Sequence, residues 1–176
     1  MSRGRRVVLT GFMGAGKTTV GRALAGLLRV PFLDLDDAVA EAEGRGPREL
    51  IDAEGEDYFR EAETRALRRE LERGAARVIA TGGGAWTLAR NRALVASHGC
   101  LAVWLDAPYE LCRRRIEEGG GPSDRPFARD PARARELYEA RLAAYRLADL
   151  RVRVAPETGA GELAAEIAAA LGPEFD

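Results

Sequence analysis

Lysine is almost absent from this 176-residue chain: of its 27 basic residues, one is lysine and the rest are arginine. Cysteine and histidine are nearly as scarce. The two cysteines, Cys100 and Cys112, cannot build a disulfide framework and lack metal-ligand spacing, so both are expected as small buried side chains. The one histidine, His98, is expected at the surface near a helix end. Net charge is also small: the formal value is −1 and the pI about 6.0. Acidic and basic residues are interleaved, which leaves no basic stripe for nucleic acid. No apolar run is long enough to span a membrane, and no signal peptide is read at the N-terminus. The length suits one domain, residues 1–176, with a sizeable core. These limits predict a soluble, cytoplasmic protein with neither nucleic acid nor membrane as partner; a monomer is the expected unit.

The single lysine, Lys17, sits in Gly11-Phe12-Met13-Gly14-Ala15-Gly16-Lys17-Thr18, which fits G-x-x-x-x-G-K-[ST]. A chance fit is expected on the order of once per thousand chains of this composition. A sequence that uses arginine for its other positive charges has kept lysine at this point. Lysine is a compact charge on a slim stem, whereas arginine is a broad planar fork. A loop whose backbone N–H groups cradle phosphate needs the slim one. The flanks agree: Arg6 to Thr10 reads as a buried strand, and 18–28 as a helix with apolar residues at 20, 23, 24, 27 and 28. A nucleoside triphosphate site is expected.

Strands and helices alternate after that. Strands are predicted at 31–36, 77–81, 101–105 and 150–154. Helices are predicted at 37–43, 48–53, 56–73, 88–96, 109–117, 131–147 and 160–171. Gly119 to Pro126 is the one long loop. Short apolar strands alternating with helices predict an α/β fold with a parallel sheet covered on both faces, and such sheets bind ligands beyond the carboxyl ends of their strands.

Several residues fall at those ends. Asp34 and Asp36 are two apart on the second predicted strand, so strand alternation would aim both into the phosphate crevice. Phosphoryl transfer needs a held divalent cation and a carboxylate to orient or deprotonate the attacking hydroxyl. Capping of the next helix by Asp36 and Asp37 is the alternative. Gly82-Gly83-Gly84 after the third strand allows close approach to a ligand, or makes an ordinary tight turn. Arg60 could meet a substrate carboxylate, although its spacing favours an ion pair with Glu56. Arg125 lies in the Gly/Pro-rich loop, either as a lid residue or as a solvated one. Arg141 lies on a helix rich in arginine, where position alone does not separate it from Arg135 or Arg146. Trp86 is expected to pack against a helix.

The ordered set resembles the shikimate kinase family. It comprises Gly11 to Thr18, Phe32-Leu33-Asp34-Leu35-Asp36, Phe59-Arg60-Glu61-x-Glu63, Ala80-Thr81-Gly82-Gly83-Gly84, Arg125-Pro126 and Arg141-x-x-x-Tyr145. The resemblance implies a P-loop NTPase fold with a five-stranded parallel sheet, helices on both faces and a lid loop at about 117–131. It implies ATP-dependent phosphorylation of the 3-hydroxyl of shikimate, on the chorismate route to aromatic amino acids. Gly14, Ala15, Gly16, Lys17, Thr18 and Thr19 would hold the phosphates of ATP. Thr18 would ligate Mg²⁺ directly, and Asp34 through water. Asp36 would bind the reacting hydroxyl and act as its base. Arg60 and Arg141 would clamp the shikimate carboxylate, and Gly82, Gly83 and Gly84 would line its pocket. Arg125 would close over the phosphates as a catalytic residue. Arg115, one of three adjacent arginines, would lie against adenine.

The chain departs from the family pattern in two places. The loop from Arg115 to Arg125 is longer and carries Gly119-Gly120-Gly121, and residues 151–158 do not match the usual adenine-side sequence. Rival readings are a kinase for another small hydroxy acid such as gluconate, a nucleoside monophosphate kinase, or a nucleotide-binding module without catalysis.

Overall fold

The computed structural model describes residues 5–119 and 130–172. Five strands form one sheet: β1 (Val7–Thr10), β2 (Phe32–Asp34), β3 (Val78–Ala80), β4 (Leu101–Asp106) and β5 (Leu150–Arg153), in the order β2-β3-β1-β4-β5. All pairings are parallel, with Val8 opposite Ile79 on one side and Ala102 on the other. The described helices are α1 (Lys17–Leu28), α2 (Leu35–Glu43), α3 (Pro47–Glu54), α4 (Glu56–Arg73), α5 (Ala89–Ser97), α6 (Tyr109–Glu118), α7 (Pro131–Tyr145) and α8 (Ala160–Leu171).

The central strands read as unbroken apolar runs because both of their faces are covered. Val7, Val8 and Leu9 have no exposed surface, nor do Val78 and Ile79. Each such side chain contributes about 1.5–3 kcal/mol by burial. At the edge the pattern changes: in β5, Val152 is buried while Arg151 and Arg153 are exposed, the alternation of a strand with one wet face. Helix α4 lays Phe59, Ala62, Ala66, Leu67 and Leu71 on the core, as its period predicts. Its buried stripe also contains two acids, Glu63 and Glu70.

The switch from strand to helix differs from the sequence expectation at β2. That strand ends at Asp34, and Asp36 belongs to the first turn of α2. Asp34 is the N-cap, and its Oδ1 accepts from the Asp36 backbone N–H at 3.0 Å. Strand alternation therefore does not aim Asp36, and neither Asp36 nor Asp37 is the cap. A short 3-10 turn, Ala85–Thr87, follows the three glycines, where the sequence predicted no element.

Candidate active site

The chain leaves the carboxyl ends of β1, β2 and β3 into one cleft of ≈ 980 Å³. Each of these exits brings a different chemistry. From β1 comes the glycine loop. Gly14 has φ +78°, and a Cβ there would lie 2.7 Å from the Cys112 carbonyl oxygen. Gly16, with φ +98°, caps α1 and lets the helix begin at Lys17. The helix N-terminus thus points its free N–H groups at the cleft, a natural seat for phosphate. The Lys17 ammonium donates to the carbonyls of Gly11 at 2.7 Å and Phe12 at 2.9 Å. Desolvation under the loop pulls its pKa from 10.5 down to about 8. Arg115 backs the same loop, donating from Nη1 to the carbonyl oxygens of Ala15 at 3.2 Å and Gly14 at 3.4 Å.

From β2 come the two acids. Thr18 Oγ1 donates to Asp34 Oδ2 at 2.6 Å, so one carboxylate both caps α2 and meets the loop hydroxyl. Asp36 is different. Its buried Oδ1 has no hydrogen-bond partner. Burial pushes its pKa from 3.8 up to about 6, with the nearby Asp34 and Glu63 carboxylates adding to the effect. A carboxylate poised near neutrality and facing a cleft is the state a general base requires.

From β3 come the glycines, and each lies beneath a charged side chain. A Cβ on Gly82 would lie 2.8 Å from Glu63 Oε1 and 3.2 Å from Asp36 Oδ1. On Gly83 it would lie 3.1 Å from Arg141 Nη1, and on Gly84 it would collide with the Arg60 guanidinium. The three glycines are needed for room. Arg60 donates to Glu63 Oε2 at 2.7 Å and makes a longer ion pair with Glu56 at 3.5 Å. The Glu56 pair expected from spacing therefore exists as the weaker of two. Arg141 is 8% exposed, and its guanidinium sits 5.9 Å from the Phe12 ring centroid. Arg135 and Arg146 are exposed, so burial separates Arg141 from its neighbours where sequence position did not.

The oxygens of Thr18, Asp34 and Asp36 form a hard donor set of the kind Mg²⁺ accepts alongside substrate phosphates and water. Among the described residues there is no cluster of three or more His, Cys, Asp or Glu side chains able to hold a metal alone. Mg²⁺ fits this arrangement, because it is seldom caged by protein and prefers one or two carboxylates.

Comparison with known proteins decides the family. The sequence model of the shikimate kinase family matches residues 13–172. A shikimate kinase of Ruegeria pomeroyi is 42% identical over 175 residues, covering 98% of this chain and 87% of the relative. One from Geobacter sulfurreducens is 44% identical over 157 residues, covering 88% and 84%. The solved shikimate kinase of Acinetobacter baumannii, in complex with shikimate, is 34% identical with a TM-score of 0.84, covering 97% of this chain and 94% of that one. The chain belongs to the shikimate kinase family.

The fold is that of the P-loop kinases, as the sequence implied. Gly14, Gly16, Lys17, Thr18, Thr19, Asp34, Asp36, Arg60, Gly82 to Gly84, Arg115 and Arg141 line one cleft, whereas the Ala15 side chain is buried in the core and does not line it. Arg125 and residues 120–129 of the expected lid loop lie outside the described residues. Trp86 packs as expected: it is buried, and its Nε1 donates to the Ala144 carbonyl at 3.0 Å. Both cysteines are buried. His98 is half-buried at the end of α5, its Nδ1 2.9 Å from the Leu94 carbonyl oxygen. Two residues carry more than the sequence reading gave them. The sequence pattern contains Glu63 only as part of a motif, yet an acid on the apolar stripe of α4 signals a buried partner for a cation. Tyr145 likewise had no role. Its signal is its place four residues after Arg141, one helical turn along the same face. No described helix is long and apolar enough to cross a membrane.

Proposed function

We propose that the protein moves the γ-phosphoryl group of ATP to the 3-hydroxyl of shikimate, giving shikimate 3-phosphate and ADP on the chorismate route to aromatic amino acids. The observation that carries this reading is Asp36. It lines the cleft that also holds Lys17, Arg60 and Arg141, and one of its carboxylate oxygens is buried without a hydrogen-bond partner.

The roles follow from the geometry. The loop from Gly14 to Thr19 and the Lys17 ammonium bind the phosphates, and Arg115 keeps the loop in shape. Thr18 would hold Mg²⁺ directly and Asp34 through water, and the ion would neutralise charge on the phosphates. Asp36 accepts the proton of the 3-hydroxyl as its oxygen bonds to phosphorus and ADP departs. Arg60 and Arg141 receive the shikimate carboxylate, a planar anion suited to guanidinium forks, while the glycine turn lets the ring approach. Arg125 retains the role of closing over the phosphates that its motif implies. In this reading the working unit is a monomer acting on small molecules in the cytoplasm.

The test is ADP release with shikimate, gluconate and AMP as acceptors under the same conditions. Turnover with shikimate far above the other two is expected. Preference for gluconate or AMP overturns the substrate, and ATP binding without turnover on any acceptor overturns the enzyme.

A further inference from the structure

Arg60 and Arg141 face the same cleft but are held differently. Arg60 has two acids, Glu63 and Glu56, to orient it. Arg141 has no carboxylate at ion-pair distance among the described residues, which leaves its charge free for an anionic ligand and its orientation to be set by something else. One helical turn further along α7 is Tyr145, which has no exposed surface. A buried phenol needs partners for one donor and for its lone pairs. Its hydroxyl donates to the Gly83 carbonyl oxygen at 2.5 Å. The Arg141 guanidinium lies against the same turn, where a Cβ on Gly83 would be 3.1 Å from its Nη1. The Tyr145 ring lies on Trp104 of β4, with centroids 6.0 Å apart and planes at 29°, so the hydroxyl is carried by the sheet itself. Arg141 is in turn closed in from two sides, by Gly83 and by the Phe12 ring.

We propose that Tyr145 is a positioning residue for substrate recognition, its hydroxyl holding the Gly82–Gly84 turn and the Arg141 guanidinium in a single arrangement that fits the substrate carboxylate. This inference rests on reading the cleft as a shikimate site. Tyr145 itself touches no reacting atom. Without its hydroxyl, the Gly83 carbonyl and the arginine head each lose their tether, and the carboxylate meets a cation no longer fixed against the turn.

The experiment compares wild type with Tyr145→Phe, which keeps the ring on Trp104 and deletes only the hydroxyl. Val152→Ala, a core change on β5, serves as a control for general destabilisation. For each protein, kcat and KM are measured with shikimate and with ATP, along with kcat/KM for shikimate against its neutral carboxamide. Tyr145→Phe should raise KM for shikimate by roughly tenfold, the scale of one hydrogen bond to a charged group, with KM for ATP within about twofold. The preference for shikimate over the carboxamide should shrink by a similar factor, and Val152→Ala should show neither effect. An unchanged shikimate KM in Tyr145→Phe, or equal rises for both substrates, overturns the inference while leaving the kinase reading intact. A wild type that does not turn over shikimate overturns that reading, and the inference with it. If Tyr145→Phe does not accumulate as folded protein, 4-aminophenylalanine at 145 decides the matter. It keeps a donor toward Gly83 and weakens the acceptor toward Arg141, so a selective rise in shikimate KM supports the inference and an unchanged one overturns it.

Discussion

Glu63 has no exposed surface, and it accepts a 2.7 Å hydrogen bond from Arg60. An acid placed on the apolar stripe of α4 is costly to bury, and the Arg60 guanidinium offsets that cost. Removing one partner of such a pair strands the other. Glu63→Ala should therefore lower stability by about 3 kcal/mol and raise KM for shikimate, because Arg60 loses its anchor. Glu63→Gln, which keeps an acceptor, should do less of both. Urea unfolding with steady-state kinetics checks this, and a Glu63→Ala protein unchanged in stability and KM would remove the anchoring role.

Arg60 itself should separate the two substrates. Arg60→Ala is expected to weaken shikimate binding with little change for ATP, since the guanidinium sits over Gly84 and away from the phosphate loop. Equal losses for both substrates in titration calorimetry would mean that the side chain only supports the fold.

Asp36 stores instability. Its folded-state pKa of about 6 lies above the ordinary 3.8, so the folded protein holds this proton more tightly than the unfolded chain does. The contribution of this group to stability is fully present below about pH 4 and is lost as pH rises through 6. Near pH 7 the charged, poorly solvated carboxylate costs on the order of 2 kcal/mol, at 1.36 kcal/mol per pKa unit and allowing for partial exposure. Asp36→Asn should be more stable than wild type near pH 7, with the gap closing toward pH 4. Equal stability at both pH values would show that the carboxylate is well solvated.

Asp36 and Lys17 together predict a pH profile. The base needs Asp36 ionised, and phosphate binding needs Lys17 charged. With pKa values of about 6 and about 8 in the free protein, kcat/KM for ATP should rise through pH 6 and fall through pH 8. Bound phosphate stabilises the ammonium, so the alkaline limb of kcat should lie higher. A flat profile between pH 5 and 9 would dismiss both groups as titrating participants.

Lys17→Arg tests the feature that stands out in the composition. The ammonium fits between the Gly11 and Phe12 carbonyls, and a guanidinium is too wide for that place. Activity should fall by about 10²–10³, the loss seen when a donor to developing charge is removed. Robust turnover in that variant would break the link between the single lysine and the phosphate loop.

The fold was legible because its signals are local. Apolar runs marked the central strands and alternation marked β5, glycines marked the phosphate loop, and Gly74 ended α4 where expected, its N–H bonded to the Glu70 carbonyl. The residues named by the ordered motifs gather at one cleft, apart from the buried Ala15 and from Arg125, which lies outside the described residues. Three things were not legible, and each depends on tertiary contact. Asp36 was placed by strand alternation, but the chain turns into a helix one residue after Asp34, and the helical turn aims the side chain instead. Arg141 could not be told from Arg135 and Arg146, because α7 presents only one of them to the core and its apolar pattern is weak. The three glycines read as a turn or a ligand contact, whereas they make room for Glu63, Asp36, Arg141 and Arg60, a reason visible only once α2, α4 and α7 are packed against β3.

The most direct measurement of the central claim is the single-turnover rate of Asp36→Asn with saturating ATP and shikimate. The side chain keeps its shape and loses its capacity to take a proton, so the account predicts a fall of roughly 10²–10⁴ relative to wild type, with ATP affinity retained. A rate within a few-fold of wild type would contradict it, leaving Asp36 as a binding group and the proton with no acceptor in the cleft.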